Sequence, residues 1–193
     1  RGGAEHVRVA DPWHIGSCAK ALTAATVARL VASGRLAWCT RLPEALPALH
    51  SMHPGWDGVT IDDLLRHRSG LPADMPPAAL RAATDDRRPL TAQRLVVAER
   101  ALRAAPRGRG RFRYSNLGYV VTGAVMEAAT GRAWELLLIE ELLVPLGVAS
   151  AGFGPPGGAA PRGHPPRLTR LGLGHGAALA PEERRADNPP VLG

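Results

Sequence analysis

The sequence is poor in lysine, because Lys20 is its only lysine and every other basic residue among the 24 is arginine. It also has only two tyrosines, two phenylalanines and two cysteines. Two cysteines exclude a multi-disulfide framework, and the spacing of Cys18 and Cys39 fits no metal motif. We therefore predict no bound metal and no other cofactor, and we expect both cysteines to be buried free thiols unless the fold brings them together.

Long apolar runs are missing as well. No run reaches the about 18 residues that a membrane-spanning helix requires, so we expect no membrane span. Residues 1–6 lack the apolar region of a secretory signal peptide, and the sequence alone assigns no compartment and no oligomeric state. The hydrophobic fraction of 45% is typical of a globular domain with its own core.

The formal net charge of +7 raises the possibility of a nucleic-acid partner. The chain is rich in Ala, Arg, Gly and Pro, which a GC-rich codon bias favours, and its arginines are spread along the sequence. One dense basic stretch occurs, at residues 107–113, with Phe112 as its single aromatic residue. Single-strand binding uses repeated aromatic platforms, so we predict no nucleic-acid partner.

The spacing of apolar residues predicts a mainly helical chain with four or five helices and almost no strand. Val7 to Val9 alternates with polar residues and is interpreted as the end of a strand, and residues 43–58 as a loop. After Gly152 the chain becomes rich in glycine and proline, which divides it into a catalytic region at 1–154 and an irregular segment at 155–193. The predicted helices cover residues 17–33, 60–68, 91–104, 115–130 and 134–144.

The clearest chemical motif is Ser17-Cys18-Ala19-Lys20. On a helix, a spacing of three residues puts two side chains on one face. A serine hydroxyl is a poor nucleophile until a base takes its proton, and lysine can be that base whereas arginine stays protonated. A helix N-terminus also favours developing negative charge at the serine. We predict Ser17 as a nucleophile and Lys20 as its base.

The second motif is Tyr114-Ser115-Asn116. A tyrosine hydroxyl can relay a proton between nucleophile and leaving group when cations favour its phenolate. An asparagine amide both donates and accepts, which suits it to hold a substrate carbonyl. Taken alone, the motif also fits a helix N-cap at Ser115 or Asn116. With the first motif present, we predict Tyr114 as a catalytic proton relay and Asn116 as a substrate-binding residue.

The sequence resembles the serine β-lactamase family, which includes class C β-lactamases, D-alanyl-D-alanine carboxypeptidases and related esterases. Residues 13–24 resemble its active-site helix, and Val59 to Pro72 resembles the segment T-x-x-x-LL-x-H-x-SGLP. Phe112 to Tyr119 matches F-x-YSN-x-GY, and the resemblance runs from about Asp11 to Gly154. Further matches follow in the same order at Glu127, Thr130-Gly131 and Pro145-Leu146-Gly147.

This resemblance implies an α/β fold in which helices pack on an antiparallel sheet, with this chain holding mainly the helical part and few strands. It also implies that Ser17 forms an acyl-enzyme, that Lys20 and Tyr114 share the proton traffic, and that Asn116 contacts both the substrate amide and the lysine. The turn after His67 is structural in the family, and we interpret His67 as a helix-end residue outside the site.

The sequence departs from the family at three points. No third motif (K-T-G or H-x-G) is found, because His175-Gly176 and 162–164 lie in irregular sequence too soon after Tyr114. Ala19 replaces the usual hydroxyl before the lysine, and Cys39-Thr40 replaces an acidic pair. The family's catalytic domain is also longer than 193 residues, so the sequence is interpreted as a fragment ending before that motif.

The predicted function is that of a serine hydrolase acting on an amide or ester through an acyl-enzyme, with a small molecule or peptide as substrate. Esterase or peptidase activity ranks above β-lactamase activity, because deacylating a β-lactam needs a specially placed water. Two alternatives stay open: a penicillin-binding sensor module that acylates without turnover, and a degenerate structural homologue. Export to the periplasm or outside the cell is favoured by the resemblance alone.

Overall fold

The structure is a computed structural model that describes residues 6–154, 166–168 and 173–175. These residues are mostly helical, as expected. Short 3-10 turns lie at Gly16–Cys18 and Pro54–Trp56, and a π-helical turn, Ile139–Leu143, continues α7. The α-helices are α1 (Ala19–Ala32), α2 (Leu42–Ala45), α3 (Ile61–Leu65), α4 (Pro77–Asp85), α5 (Leu90–Leu102), α6 (Asn116–Thr130) and α7 (Trp134–Leu138).

Helix α6 is the centre of the core. It packs against α1, α2, α3, α5 and α7, and its buried face includes Val121 and Val125. Ser115 caps its first turn, and Gly131 ends it at φ 69°, a left-handed conformation that glycine adopts without steric cost. Each large apolar side chain buried here contributes roughly 1.5–3 kcal/mol. The remaining large, fully buried side chains include Trp56, Leu30, Leu42, Ile61, Leu64, Leu71, Leu102, Met126 and Leu137.

Helix α3 begins as the sequence predicts. Thr60 Oγ1 accepts a hydrogen bond from the Asp63 backbone N–H at 3.3 Å, and Asp63 Oδ2 accepts one from the Thr60 N–H at 3.1 Å. This reciprocal pair satisfies two amides that a helix start leaves without partners. The helix ends at the turn 66–72, where His67 has φ 57°, and this turn leads into the site.

Several predictions about elements were wrong or incomplete. Val7 to Val9 forms no strand, and both valines are exposed, since nothing packs over this alternating stretch. The interval 43–58 contains most of α2 and a 3-10 turn. Helix α4 was not predicted, although proline, as at Pro77, fits the first helical turn, where its missing N–H has no partner.

Both cysteines are free and exposed, not buried as we expected. Cys18 belongs to the 3-10 turn Gly16–Cys18, in which no residue is buried. Cys39 lies in the surface loop between α1 and α2. Neither position faces the core, so the apolar character of a thiol does not decide its burial here.

The only strands among the described residues are β1 (Pro166–Leu168) and β2 (Leu173–His175). They pair antiparallel, with Pro166 opposite His175 and Leu168 opposite Leu173. The candidate third-motif residues 162–164 and Gly176, and the rest of the segment 155–193 outside these two strands, lie outside the described residues. Within the described part, no helix is long and apolar enough to cross a bilayer, and no side-chain cluster could hold a metal ion.

Candidate active site

Ser17 and Lys20 lie at the start of α1. Ser17 is the middle residue of the 3-10 turn, and Gly16 before it has φ 51°, which favours glycine at this position. Lys20 is in the first turn of α1, and its Nζ donates a hydrogen bond to Ser17 Oγ at 3.2 Å. The spacing of three residues therefore brings the two side chains into direct contact, with Ser17 exposed and Lys20 half-buried.

Tyr114 approaches the same serine from a distant part of the chain. Its hydroxyl donates to Ser17 Oγ at 2.8 Å, and Lys20 Nζ lies 5.1 Å from the centre of its ring. Burial raises the pKa of Tyr114, but hydrogen bonding to Lys20 and Ser17 and the positive charge of Lys20 outweigh it, so that this pKa lies below its ordinary value. The phenolate is therefore more accessible than in a free tyrosine.

The second tyrosine, Tyr119, has a different place. Its hydroxyl donates to the Leu65 carbonyl at 3.1 Å, and its ring lies 5.6 Å from Lys20 Nζ. Burial, with a smaller effect of Tyr114, raises its pKa. Tyr119 thus anchors α6 to the end of α3, while Tyr114 carries the contact with the serine.

Asn116 is the first residue of α6 and lies against the loop that follows the SGLP turn. Its backbone N–H donates to the Ala73 carbonyl at 2.7 Å, and its side-chain Nδ2 donates to Asp74 Oδ1 at 2.5 Å. Between the described residues Asn116 and Lys20 there is no hydrogen bond, in contrast to the contact that the resemblance implied. Sequence analysis missed Asp74, whose position next to Asn116 depends on the tertiary fold.

Ser115 joins the two loops beneath the site. This buried hydroxyl donates to the Pro72 carbonyl at 2.6 Å and accepts the Gly118 N–H at 3.0 Å. Ser115, not Asn116, is therefore the N-cap of α6. The cap and the link to Pro72 fix the start of α6 relative to the loop that carries Asp74.

His67 lies behind Tyr114 and is the main residue of the site that sequence analysis left out. Its Nδ1 accepts the Ser115 backbone N–H at 3.1 Å, and its ring centre is 4.6 Å from that of Tyr114. Burial, followed by the positive charge of Lys20, lowers the pKa of His67 below its ordinary value. The only sequence signal for it is its place in the segment that resembles H-x-SGLP.

The basic stretch 107–113 forms a loop that pairs with the turn 66–70. Gly108 and Gly110 have φ of 71° and 82° there. The Arg109 guanidinium donates to the Gly58 carbonyl. The loop therefore positions Tyr114 directly after its last paired residue. The backbone pairs are Arg107 N–H to Gly70 O (2.9 Å), Gly110 N–H to Arg68 O (2.8 Å) and Arg113 N–H to His67 O (2.8 Å).

A cavity of about 330 Å³ lies apart from these residues, between α4, α5 and the loop that precedes Tyr114. Met75, Val97 and Leu117 are among its lining residues, and Arg113 lies at its wall. Ser17, Lys20 and Tyr114 do not line it. The reactive groups are therefore on an exposed face of the described helical region, outside this cavity.

Comparison with known proteins gives consistent matches. The family model described as Beta-lactamase matches residues 1–180. Penicillin-binding protein 4 of Amycolatopsis lactamdurans is 31% identical over 149 residues, which cover 77% of this chain and 38% of that protein. An unguisins hydrolase of Aspergillus campestris is 28% identical over 144 residues, 72% of this chain and 26% of that protein. The chain thus spans about a quarter to two fifths of these relatives.

Solved structures give the fold. The crystal structure of a D-stereospecific amidohydrolase from Streptomyces sp. superposes with a TM-score of 0.63 at 23% identity. The match covers 95% of this chain and 55% of the amidohydrolase chain. At this identity the likeness concerns the fold alone, and it extends over nearly all of the chain.

Proposed function

Because this chain belongs to the beta-lactamase family, we propose that it carries the nucleophile region of a serine hydrolase that acts on amides or esters through an acyl-enzyme. One observation carries the proposal: two proton-bearing groups, Lys20 Nζ and the Tyr114 hydroxyl, reach the same Ser17 oxygen, at 3.2 and 2.8 Å. A nucleophile with a base in direct contact is the arrangement that covalent catalysis by serine requires.

At the start of the proposed reaction, Lys20 and Tyr114 together carry one proton fewer than a charged lysine and a neutral tyrosine would. As Ser17 Oγ bonds to the substrate carbonyl carbon, its proton passes to Lys20, and Tyr114 hands a proton to the departing amine or alcohol. Water then attacks the acyl carbon and gives a proton to the same pair, which returns a proton to Ser17 Oγ as its bond to the acyl carbon breaks and the acid is released. The lowered pKa of Tyr114 supports this exchange, because the phenolate forms more readily beside Lys20 than in a free tyrosine.

For Asn116 we propose a role in binding the substrate amide. Its Nδ2 donates one hydrogen bond to Asp74, and its side-chain oxygen can accept a hydrogen bond from a substrate N–H. For the rest of the site we propose that residues 1–154 form the catalytic region and that an antiparallel sheet supplies the opposite wall of the cleft.

The experiment that tests the proposal is covalent labelling of the chain with a fluorophosphonate and with a fluorescent penicillin, followed by mass spectrometry of the modified peptide. We expect the mass increment on Ser17, its loss in Ser17→Ala, and its retention in the matched control Ser51→Ala, an exposed serine bonded to Glu99 on the surface. Absence of label from the folded wild-type chain with both probes would contradict the proposal.

The second candidate function, a penicillin-binding sensor, is favoured by one observation: Asn116 is held by Asp74, without a hydrogen bond to Lys20. The two candidates differ in deacylation. A hydrolase turns over p-nitrophenyl acetate or a D-alanyl p-nitroanilide and releases the acyl group, whereas a sensor keeps the acyl group that it takes from penicillin. Release of the penicillin label within minutes would exclude the sensor.

A further inference from the structure

We propose that His67 is a positioning residue that holds Tyr114 in place against Ser17, an inference that rests on the proposed function. Tyr114 lies between Arg113 and Ser115, and the backbone N–H of each of these residues donates a hydrogen bond to His67. On one side the Arg113 N–H donates to the His67 carbonyl at 2.8 Å, and on the other the Ser115 N–H donates to His67 Nδ1 at 3.1 Å. The backbone on both sides of Tyr114 is thereby tied to one residue.

The ring of His67 adds a third contact. Its centre lies 4.6 Å from the centre of the Tyr114 ring, with 35° between the planes, and 5.3 Å from that of Tyr119. Phe112 also meets the imidazole edge-on, with its ring centre 5.7 Å away. The Tyr114 side chain therefore has the imidazole as a wall, which restricts the direction in which its hydroxyl points.

The conformation of His67 is what makes both hydrogen bonds available. At φ 57° it adopts the left-handed region, which most residues avoid at a cost of roughly 1–2 kcal/mol. It is the only described non-glycine residue with positive φ. In this conformation its carbonyl meets Arg113 while its side chain meets Ser115, so the strained backbone coincides with a functional contact.

The hydrogen bond from Ser115 requires the neutral imidazole, because Nδ1 accepts only when it carries no proton. The titratable groups that act on it among the described residues are Lys20 from α1 and the phenols of Tyr114 and Tyr119. Burial and the charge of Lys20 lower the pKa of His67, which favours the neutral ring. The positive charge of Lys20, which lowers the pKa of Tyr114, thus also favours the neutral imidazole of His67, whose Nδ1 accepts the Ser115 N–H.

The test compares His67→Gly with His67→Asn. Both residues adopt positive φ readily, so neither introduces backbone strain. Glycine removes the ring and the acceptor, whereas the asparagine side-chain oxygen can still accept the Ser115 N–H. Far-UV circular dichroism and the melting temperature establish that each variant is folded.

The first readout is spectroscopic and independent of any activity. The chain has only two tyrosines, and the pKa of Tyr114 is lowered while that of Tyr119 is raised, so we expect their phenolates to appear in separate steps of absorbance at 295 nm. The variant Tyr114→Phe assigns the lower step. In His67→Gly, Tyr114 should move away from Lys20 and Ser17, so we expect the pH of that step to rise toward the ordinary value for tyrosine. In His67→Asn we expect the step to stay close to its wild-type pH.

The second readout is the rate of fluorophosphonate labelling at Ser17. Small misplacements of a catalytic group cost up to about 10²-fold, so we expect labelling of His67→Gly to slow by tenfold or more and that of His67→Asn by much less. An unmoved tyrosine step in folded His67→Gly overturns the positioning role. A wild-type chain that never labels overturns the proposed function instead, while the tyrosine titration still decides the role of His67.

Discussion

Arg94 is the residue whose removal should most clearly destabilise the fold. Only 3% of its side chain is exposed, and it bridges α5 to two carboxylates. Its Nε donates to Glu127 Oε1 of α6 at 3.0 Å, and its terminal nitrogens donate to Glu135 of α7 at distances down to 2.7 Å. Glu127 Oε1 also accepts the Trp134 N–H at 3.0 Å. The guanidinium thus joins three helices at one buried point.

The perturbation we propose is Arg94→Met, which keeps most of the aliphatic stem and removes the charge. It leaves Glu127, whose side chain is 9% exposed, without its cationic partner. Breaking a buried pair by removing one member costs about 3–5 kcal/mol. For a chain of this size each kcal/mol corresponds to roughly 2–4 °C, so the melting temperature should fall by about 6–20 °C.

The assay is urea and thermal unfolding followed by circular dichroism at 222 nm. The matched control is Arg103→Met, which removes an arginine from the C-terminal end of α5, the helix that also carries Arg94. Arg103 pairs with Glu99 at 2.8 Å, but 61% of its side chain is exposed. Exposed pairs contribute little, so the control should unfold close to the wild type.

The pH dependence gives a second check with a definite sign. Burial is the main cause that raises the pKa of Glu127, and loss of Arg94 removes a group that lowers it. When folding raises the pKa of an acid, its protonated form stabilises the folded state. This stabilisation is complete below the pKa of the unfolded state and is lost as the pH rises through the pKa of the folded state. The deficit of Arg94→Met should therefore narrow between pH 7 and pH 5, and Glu127→Gln added to it should recover part of the loss at pH 7. A deficit under about 1 kcal/mol, or one that widens on acidification, would refute this account.

Three further outcomes are expected. Lys20→Arg should slow fluorophosphonate labelling by at least roughly 10²-fold with an unchanged melting temperature, because arginine cannot accept the serine proton; labelling at the wild-type rate would contradict the base role. Asp74→Asn should lower the pKa of Tyr114 further, since the Asp74 charge raises it, and the 295 nm step should move to lower pH; a step that moves upward would refute this. Gly70→Ala should destabilise by about 2 kcal/mol or more, because φ is 92° and a Cβ would lie 2.9 Å from Pro106 Cβ, whereas Gly34→Ala, with φ 73° and open space, should cost about 1 kcal/mol in the same urea titration.

Local signals in the sequence predicted most helices well. The cap at Thr60, the end of α6 at Gly131 and the approximate bounds of α1, α5 and α6 follow from contacts three or four residues apart. The Ser17–Lys20 contact has the same local origin, because a spacing of three residues on one turn decides it. Such features are encoded within a few residues and need no knowledge of the rest of the chain.

Other features depend on tertiary packing and could not be predicted in this way. Tyr114 meets Ser17 across 97 positions of sequence, a separation at which no helical spacing brings two side chains together. No local sequence signal predicted the hydrogen bond from Asn116 to Asp74 or the one from the Ser115 N–H to His67 Nδ1. The exposure of Cys18 depends on which side of the turn faces the core, and composition does not determine it.

The basic stretch 107–113 shows how a sequence feature changes its meaning once the fold is known. As a run of arginines and glycines it resembles a surface for polyanions, yet what it contributes here comes from its backbone, which pairs with the turn 66–70 and delivers Tyr114. Backbone N–H groups make these pairs whatever the side chain, whereas the positive φ of Gly108 and Gly110 restricts the residue type. The glycines therefore carry more of the site's geometry than the charges beside them, and replacing Arg111 should disturb Tyr114 less than replacing Gly110.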